Sequence, residues 1–432
     1  MLPKPLSCFQ KWINAPFLFV LCNLFFILRL VFWIDYSAVN LLFSDQWTYL
    51  SPLFNRQGIV ERFLYQHGPH RQGLGLVLSG MLYENSAWNS NIDSLFITLL
   101  LVLANIVFLF FIKLKFNKFL ISDLLVPILV LSPIHYETIL LAPNSSHSIL
   151  PLLLISLFCM ALHIEHNWWR IILSIVISAN LLFTGFGFFF GLLGFFVTFV
   201  SEFKREGMGK LQLLTISFLS LIMVLIFFKN YNYSHGTDDF KFLALSFSHL
   251  EFITYQWSGL FQIREPYAFI SGLLILVLLI LGDILCAIFI FKKGNPNYAI
   301  PFYLLSGSLI YSIATCVGRV STGANFAQGS RYMALSVPAI IGLYLLIRMI
   351  KGVRLRMVLS FLILFLSIRD IKLDSTHEEN LGGFQEMKRR FLVHYSPSKT
   401  LKEVEDDSGV ILLGASEQRF EYLQKNKLHF PP

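Results

Sequence analysis

The residues best suited to chemistry crowd into one stretch, residues 43–88, FSDQWTYLSPLFNRQGIVERFLYQHGPHRQGLGLVLSGMLYENSAW. It lies between two apolar segments, yet it holds Asp45, Trp47, Arg56, Glu61, Arg62, Tyr65, His67, His70, Arg71 and Glu84. Long loops of this kind are usually functional or disordered. This one carries aromatic and apolar residues at helical spacing, which predicts a folded loop. Asp45 is flanked by Phe43-Ser44 and Gln46-Trp47. A carboxylate so placed can take the proton of a sugar hydroxyl during glycosyl transfer. The same residues also suit a helix over 46–54 that Ser44 or Asp45 would cap.

A second set suits phosphate. Arg71 follows His70 in YQHGPHR; the guanidinium fork matches phosphate oxygens and the imidazole adds a donor. Pairing of Arg71 with Glu61 or with lipid headgroups is the structural alternative. Gly68-Pro69 predicts a rigid turn into an amphipathic stretch, 72–83, able to lie in a membrane interface. Arg319 and Arg331 bracket a Gly/Ser/Asn-rich segment, GRVSTGANFAQGSRY, fit to cradle phosphate. Arg and Tyr also serve as interfacial anchors at such a depth. His135, Glu137, Asn144 and His147, in HYETILLAPNSSH, are placed to line the same cavity. Trp47, Tyr65, His67 and Tyr332 complete the expected substrate contacts. The histidines lack metal-ligand spacing, so no metal site is expected. Asp238-Asp239 resembles a metal or base site and equally a solvated turn.

The elements that must position these groups are apolar. The chain is 55% hydrophobic and 14% charged with mean hydropathy +0.65, a balance that excludes a soluble globule. Apolar runs of about 17–25 residues match helices crossing a ~30 Å hydrocarbon core, and the alternating strands of a barrel are missing. The net charge of +8 is modest and does not suggest nucleic acid. Cys8, Cys22, Cys159, Cys286 and Cys316 show no CxxC spacing, which argues against a disulfide framework or a zinc site. The first run follows Lys4 and Lys11 like a signal peptide, but it is too long. Arg29 and Trp33 stand where a small-residue cleavage site would be, so it reads as a retained anchor.

Eleven spans are expected, at about 15–34, 92–112, 124–133, 148–162, 170–183, 185–200, 211–228, 268–291, 299–317, 333–347 and 357–367. Pro133 should end or kink the third, and Thr184-Gly185 should form a tight turn. Arg29 and Asp283 fall inside spans and are functional candidates by default. With the N-terminus inside, fifteen basic residues fall on short inside segments and eight on the longer outside loops, the direction the positive-inside rule requires. Residues 1–368 therefore read as the membrane domain, with loop 35–91 carrying the active-site helices. Residues 369–432 read as a small extramembrane region on the outside, with helices at 398–405 and 415–425 and a strand at 409–414.

With these motifs in place, the chain resembles bacterial multi-pass glycosyltransferases of the GT-C type, which take sugar from a polyprenyl-phosphate donor. The resemblance rests on Ser44-Asp45-Gln46-Trp47, His67-Gly-Pro-His70-Arg71, Ser132-Pro-Ile-His-Tyr-Glu137 and Ser330-Arg331-Tyr332, in that order, over most of the chain to about residue 350. It implies Asp45 as general base and Arg331, Arg71, His70 and Arg319 as holders of the donor phosphate. The family often has two adjacent acids at the first motif; here the second is Gln46. Enzymes that add glucose to O-antigen have a similar layout. The resemblance implies an all-α polytopic protein of the bacterial inner membrane with a periplasmic active site. Its partners would be a polyprenyl-phosphate-sugar (for example undecaprenyl phosphate) donor, a lipopolysaccharide or other cell-envelope glycan acceptor, the lipid bilayer, a donor-synthesising glycosyltransferase and a small flippase. No cofactor is called for, with a divalent metal left open.

Two other readings use the same residues. A flippase or transporter of a lipid-linked sugar would carry charges along a central path, whereas here they gather on one side. An O-antigen polymerase or ligase usually has its large outer loop late in the chain, whereas here it comes first.

Overall fold

The computed structural model describes residues 15–204, 209–232 and 246–426. Lys4, Lys11, Cys8 and the pair Asp238-Asp239 lie outside the described residues. Helix α1 (Ala15–Ser37) enters the first loop, which folds as short helices α2 (Gln46–Tyr49), α3 (Ser51–Phe54) and α4 (Ile59–Phe63). A two-residue antiparallel pair follows, β1 (Gln66–His67) and β2 (His70–Arg71), with His67 opposite His70. Helix α5 (Gly73–Asn85) closes the loop and α6 (Ser90–Phe116) leaves it. The expected helix over 46–54 is thus two single turns. The stretch expected to lie in the interface is instead packed inside, with Leu76, Ser79 and Tyr83 of α5 buried.

The bundle continues with α7 (Leu125–Val130), α8 (Ile149–His163), α9 (Asn167–Leu182), α10 (Gly187–Phe203) and α11 (Lys210–Phe228). Then come α12 (Phe247–Gly259), α13 (Ala268–Phe291), α14 (Ala299–Arg319), α15 (Val337–Met349) and α16 (Val353–Ser367). Among the described residues α1, α6, α11, α13 and α14 are long and apolar enough to cross a membrane. Their free faces are apolar: Leu214, Phe218 and Leu225 on α11 and Ile270, Leu274 and Leu281 on α13 are exposed. Such faces cost free energy in water and none in lipid. The architecture is that of an all-α membrane protein.

Local chemistry explains the breaks. Helix α7 stops at Val130, and Ser132-Pro133 starts a new 3-10 turn, because Pro has no N–H to continue the ladder. The carbonyls released there are not left bare. His135 Nε2 lies 3.1 Å from Leu129 O, and Arg29 Nη2 donates to Leu131 O at 2.9 Å. Arg29 also donates to Ile371 O, so this charge inside α1 ties three segments together. Asp283 accepts a 2.7 Å hydrogen bond from Ser306 and joins α13 to α14. The turn between α9 and α10 is tight because Gly185 takes φ +56°, as the Thr184-Gly185 pair predicts. Farther along α10, a methyl group on Gly191 would sit 2.7 Å from Ser178 O, so these two helices touch through their backbones.

Hydrogen bonds sort the loops into two ends. At the first-loop end, Asn144 Nδ2 donates to Gln72 Oε1, Gly185 N to Arg71 O, Ser330 Oγ to Ile134 O, and Ser132 Oγ to Asp370 O. At the opposite end, Arg170 pairs with Glu202 at 2.5 Å and Arg348 with Asp123 at 2.6 Å, all four buried.

Beyond α16 the chain forms α17 (Ser375–His394), α18 (Leu401–Ser408) and α19 (Glu417–Lys425). Helix α17 was not expected from the sequence, and residues 409–414 form an irregular segment between two turns rather than a strand. Phe391, Val404, Val410, Leu412 and Phe420 share one buried cluster with Leu41, Trp47, Leu50 and Trp88. The tail therefore packs on the first loop, at the same end of the bundle.

Candidate functional site

Asp45 stands at the head of α2, where N-caps belong, but its side chain makes no capping bond and is exposed. The carboxylate is thus not spent on the helix. The residue before it, Ser44, has φ +51°, a left-handed conformation unfavourable for serine. The tail holds this turn in place: Arg419 donates to Trp47 O at 2.6 Å and to Ser51 Oγ at 2.8 Å. Of the other candidate bases, Glu61 accepts from Gly58 N at 2.9 Å. Glu137 accepts from the Arg331 N–H at 2.8 Å and from its Nε at 3.2 Å.

Arg331 is half-buried. Burial works against its charge, but Glu137, Tyr332 and then Asp45 outweigh it and raise its pKa. The same short-range fields link the rest of the cluster. His147 is driven well below its ordinary pKa by burial first and then by His70, Arg331, His67 and Arg319. His70 is lowered to about 4 by burial, then by His67 and Arg319. Four of these side chains thus act on His147, and Asp45 acts on Arg331. Phe186 lies between two of them, 4.5 Å from the His70 ring and 4.7 Å from the His147 ring, and against Tyr311 at 5.3 Å. His67 Nε2 is 3.0 Å from Thr48 Oγ1, and Tyr65 donates to Thr48 O at 2.9 Å. Arg319 is exposed at the end of α14.

The structure thereby brings together Asp45, His67, His70, His147, Glu137, Arg319 and Arg331, with Tyr65 alongside. It does not bring in Arg71. That guanidinium donates to Phe227 O at 2.6 Å and to Leu64 O and Lys229 O, and lies over the Phe227 and Tyr231 rings. All its nitrogens serve as a clamp between the first loop and the end of α11, because its fork fits carbonyl oxygens as well as phosphate. Trp47 is fully buried, donates to Leu42 O at 2.9 Å and stacks on Phe54, so it is core rather than a substrate contact. Tyr332 is 1% exposed and faces the core. His135 is buried on Leu129 O, and Asn144 is taken up by Gln72 and Ser146.

Sequence reasoning missed Phe186, whose signal was a turn at this end of the bundle. It also passed over Arg264, His377 and Asn380. Among the described residues no group of three or more His, Cys, Asp or Glu side chains is arranged to hold a metal ion. Compared with models of protein families, with curated proteins and with solved structures, the chain matches none.

Proposed function

We propose that this chain is a GT-C-type glycosyltransferase that moves a sugar from a polyprenyl-phosphate donor to a cell-envelope glycan. In this reading it crosses the bacterial inner membrane eleven times. Its N-terminus is cytoplasmic, and its first-loop end and tail are periplasmic. No nucleotide-sugar is available there, which is why the donor is lipid-borne. One observation carries the reading: Asp45, a carboxylate free of capping bonds, lies exposed on the same first loop that sets His70 against Phe186 and, through that ring, next to His147.

Asp45 takes the proton of an acceptor hydroxyl. That oxygen bonds to the anomeric carbon from the face opposite the phosphate, and the carbon–oxygen bond to phosphate breaks, inverting the centre. Arg331 and Arg319 offset the charge growing on the leaving phosphate. The neutral imidazoles of His70 and His147 add donors without repelling the arginines.

The test is a transfer assay in membranes with a panel of radiolabelled polyprenyl-phosphate sugars and cell-envelope polysaccharide. Asp45→Asn should express normally and lower turnover by about 10²–10⁴-fold, the usual contribution of a general base. Full activity in that variant would move the base elsewhere. No transfer by the native chain from any donor would sink the enzyme class.

A further inference from the structure

A cavity of about 460 Å³ opens at the first-loop end, beside Arg331. That is a ligand-sized volume. Four parts of the chain wall it: the segment holding Tyr136 and Glu137, the pair Arg264-Glu265, the segment from Asn325 to Arg331, and the start of the tail helix α17 with Thr376, His377 and Asn380.

Its charges are already answered. Arg264 donates from Nε to Asp374 at 2.8 Å and from Nη1 to Gln328 Oε1 at 2.6 Å. Asp374 in turn caps α17 by accepting from His377 N at 2.9 Å. Arg331 Nε is held by Glu137, and Glu265 adds an exposed carboxylate at the rim. With Arg264 answered by Asp374, Glu137 on the Nε side of Arg331 and a further acid at the rim, this side of Arg331 is a poor receptor for an anion. What it does present is uncharged: the exposed side chains of Asn325, Thr376 and Asn380, and the ring of Phe326, 49% exposed. Planar amides pair with adjacent hydroxyls, and an exposed ring covers the C–H face of a sugar.

We infer that this cavity binds a neutral glycan unit and that Asn380 and Thr376, on the tail helix, help select which one. This rests on the transferase reading for its role: the unit is the acceptor, held on one side of Arg331 while the donor phosphate meets the histidine side. The tail is then part of the specificity machinery rather than a cap.

The test uses the purified full chain in lipid nanodiscs and saturation-transfer NMR with methyl glycosides of glucose, galactose, mannose, rhamnose and N-acetylglucosamine, with inorganic phosphate as the contrasting probe. At least one glycoside should receive saturation. Asn325→Ala and Asn380→Ala should each weaken it about five-fold, the loss of one neutral hydrogen bond. If a variant fails to fold, Phe326→Ala, at a half-exposed position, takes its place. No glycoside binding, binding indifferent to these variants, or phosphate binding that Asn380→Ala abolishes would each overturn the inference. Glycoside binding by a chain that transfers no sugar keeps the cavity and removes the transferase. Transfer without glycoside binding does the reverse.

Discussion

The two ends of the bundle handle charge in opposite ways. At the end away from the first loop, two pairs of charged side chains are buried and matched. Arg170 forms two bonds to Glu202, and Arg348 meets Asp123, which also accepts from Tyr344 at 2.6 Å. At the first-loop end, Arg319 and Asp45 are exposed, and His70 and His147 are held neutral next to arginines. A buried pair that satisfies itself has nothing left for a ligand, and its value is in fixing how helices meet. Groups held near one another without mutual satisfaction favour an anion or a proton that arrives from outside. The contrast also qualifies the positive-inside count, since Arg170 and Arg348 are bound inside the protein rather than facing lipid headgroups.

The comparison breaks most visibly at the matched end. Removing one partner there, as in Arg348→Met, strands the Asp123 carboxylate and should cost about 3–5 kcal/mol. Thermal melts in detergent should show a large drop in apparent Tm, while activity per folded molecule stays native. Asp123→Leu added to Arg348→Met should recover much of the loss. Low activity in the folded fraction of Arg348→Met would mean that this end also takes part in chemistry.

The loop end should answer the other way. Arg331→Gln should lower transfer by about 10²–10³-fold, the range for one lost charge-stabilising donor. Its Tm should move little, because the Arg331 side chain is 34% exposed and its pair with Glu137 is solvent-screened. A collapse of Tm without loss of turnover in the surviving protein would make Arg331 a structural residue like Arg348.

How much of this was legible follows from which forces act locally. Helix α13 runs over the same residues, 268–291, that its apolar run marks, because lipid imposes length and composition directly on sequence. The clustering of Asp45, His70, Arg319 and Arg331 was legible too, since topology alone collects alternate loops at one end. What a polar side chain touches was not. Arg71 and Arg331 sit in equally suggestive motifs, yet one meets three carbonyls and the other one carboxylate. Helix α17 was missed because Glu, Lys and Arg dilute it, although Leu381, Phe384 and Phe391 recur at helical spacing, the first packed on the bundle core and the other two on the first loop. With α17 went the wall of the 460 Å³ cavity.

The smallest effect concerns how α17 stays docked, and its sign can be worked out. His377 is 3% exposed, packed on the Tyr136 ring, and lowered to about 4 by burial and then by Arg264, with Asp374 pulling the other way. Above its ordinary value near 6.5 it is neutral whether α17 is docked or loose, so docking is at full strength there. Between about 6.5 and 4 a loose tail takes up a proton that the docked tail refuses, and docking weakens as pH falls. At pH 5 the loss is about 2 kcal/mol. Two neighbours titrate in other windows. Lys388, buried against Leu140 O and lowered to about 7 by burial, loses its contribution between about 10.5 and 7. Asp374 is half-buried, but bonds from Arg264 and the His377 N–H hold it below the usual carboxylate range, so its contribution fades only in stronger acid. Hydrogen exchange along α17 should therefore quicken from pH 6.5 to 5 in the native chain. His377→Gln should flatten that slope, leaving the steeper loss in strong acid intact. An unchanged slope in His377→Gln would mean that His70, across the first loop, carries the titration instead.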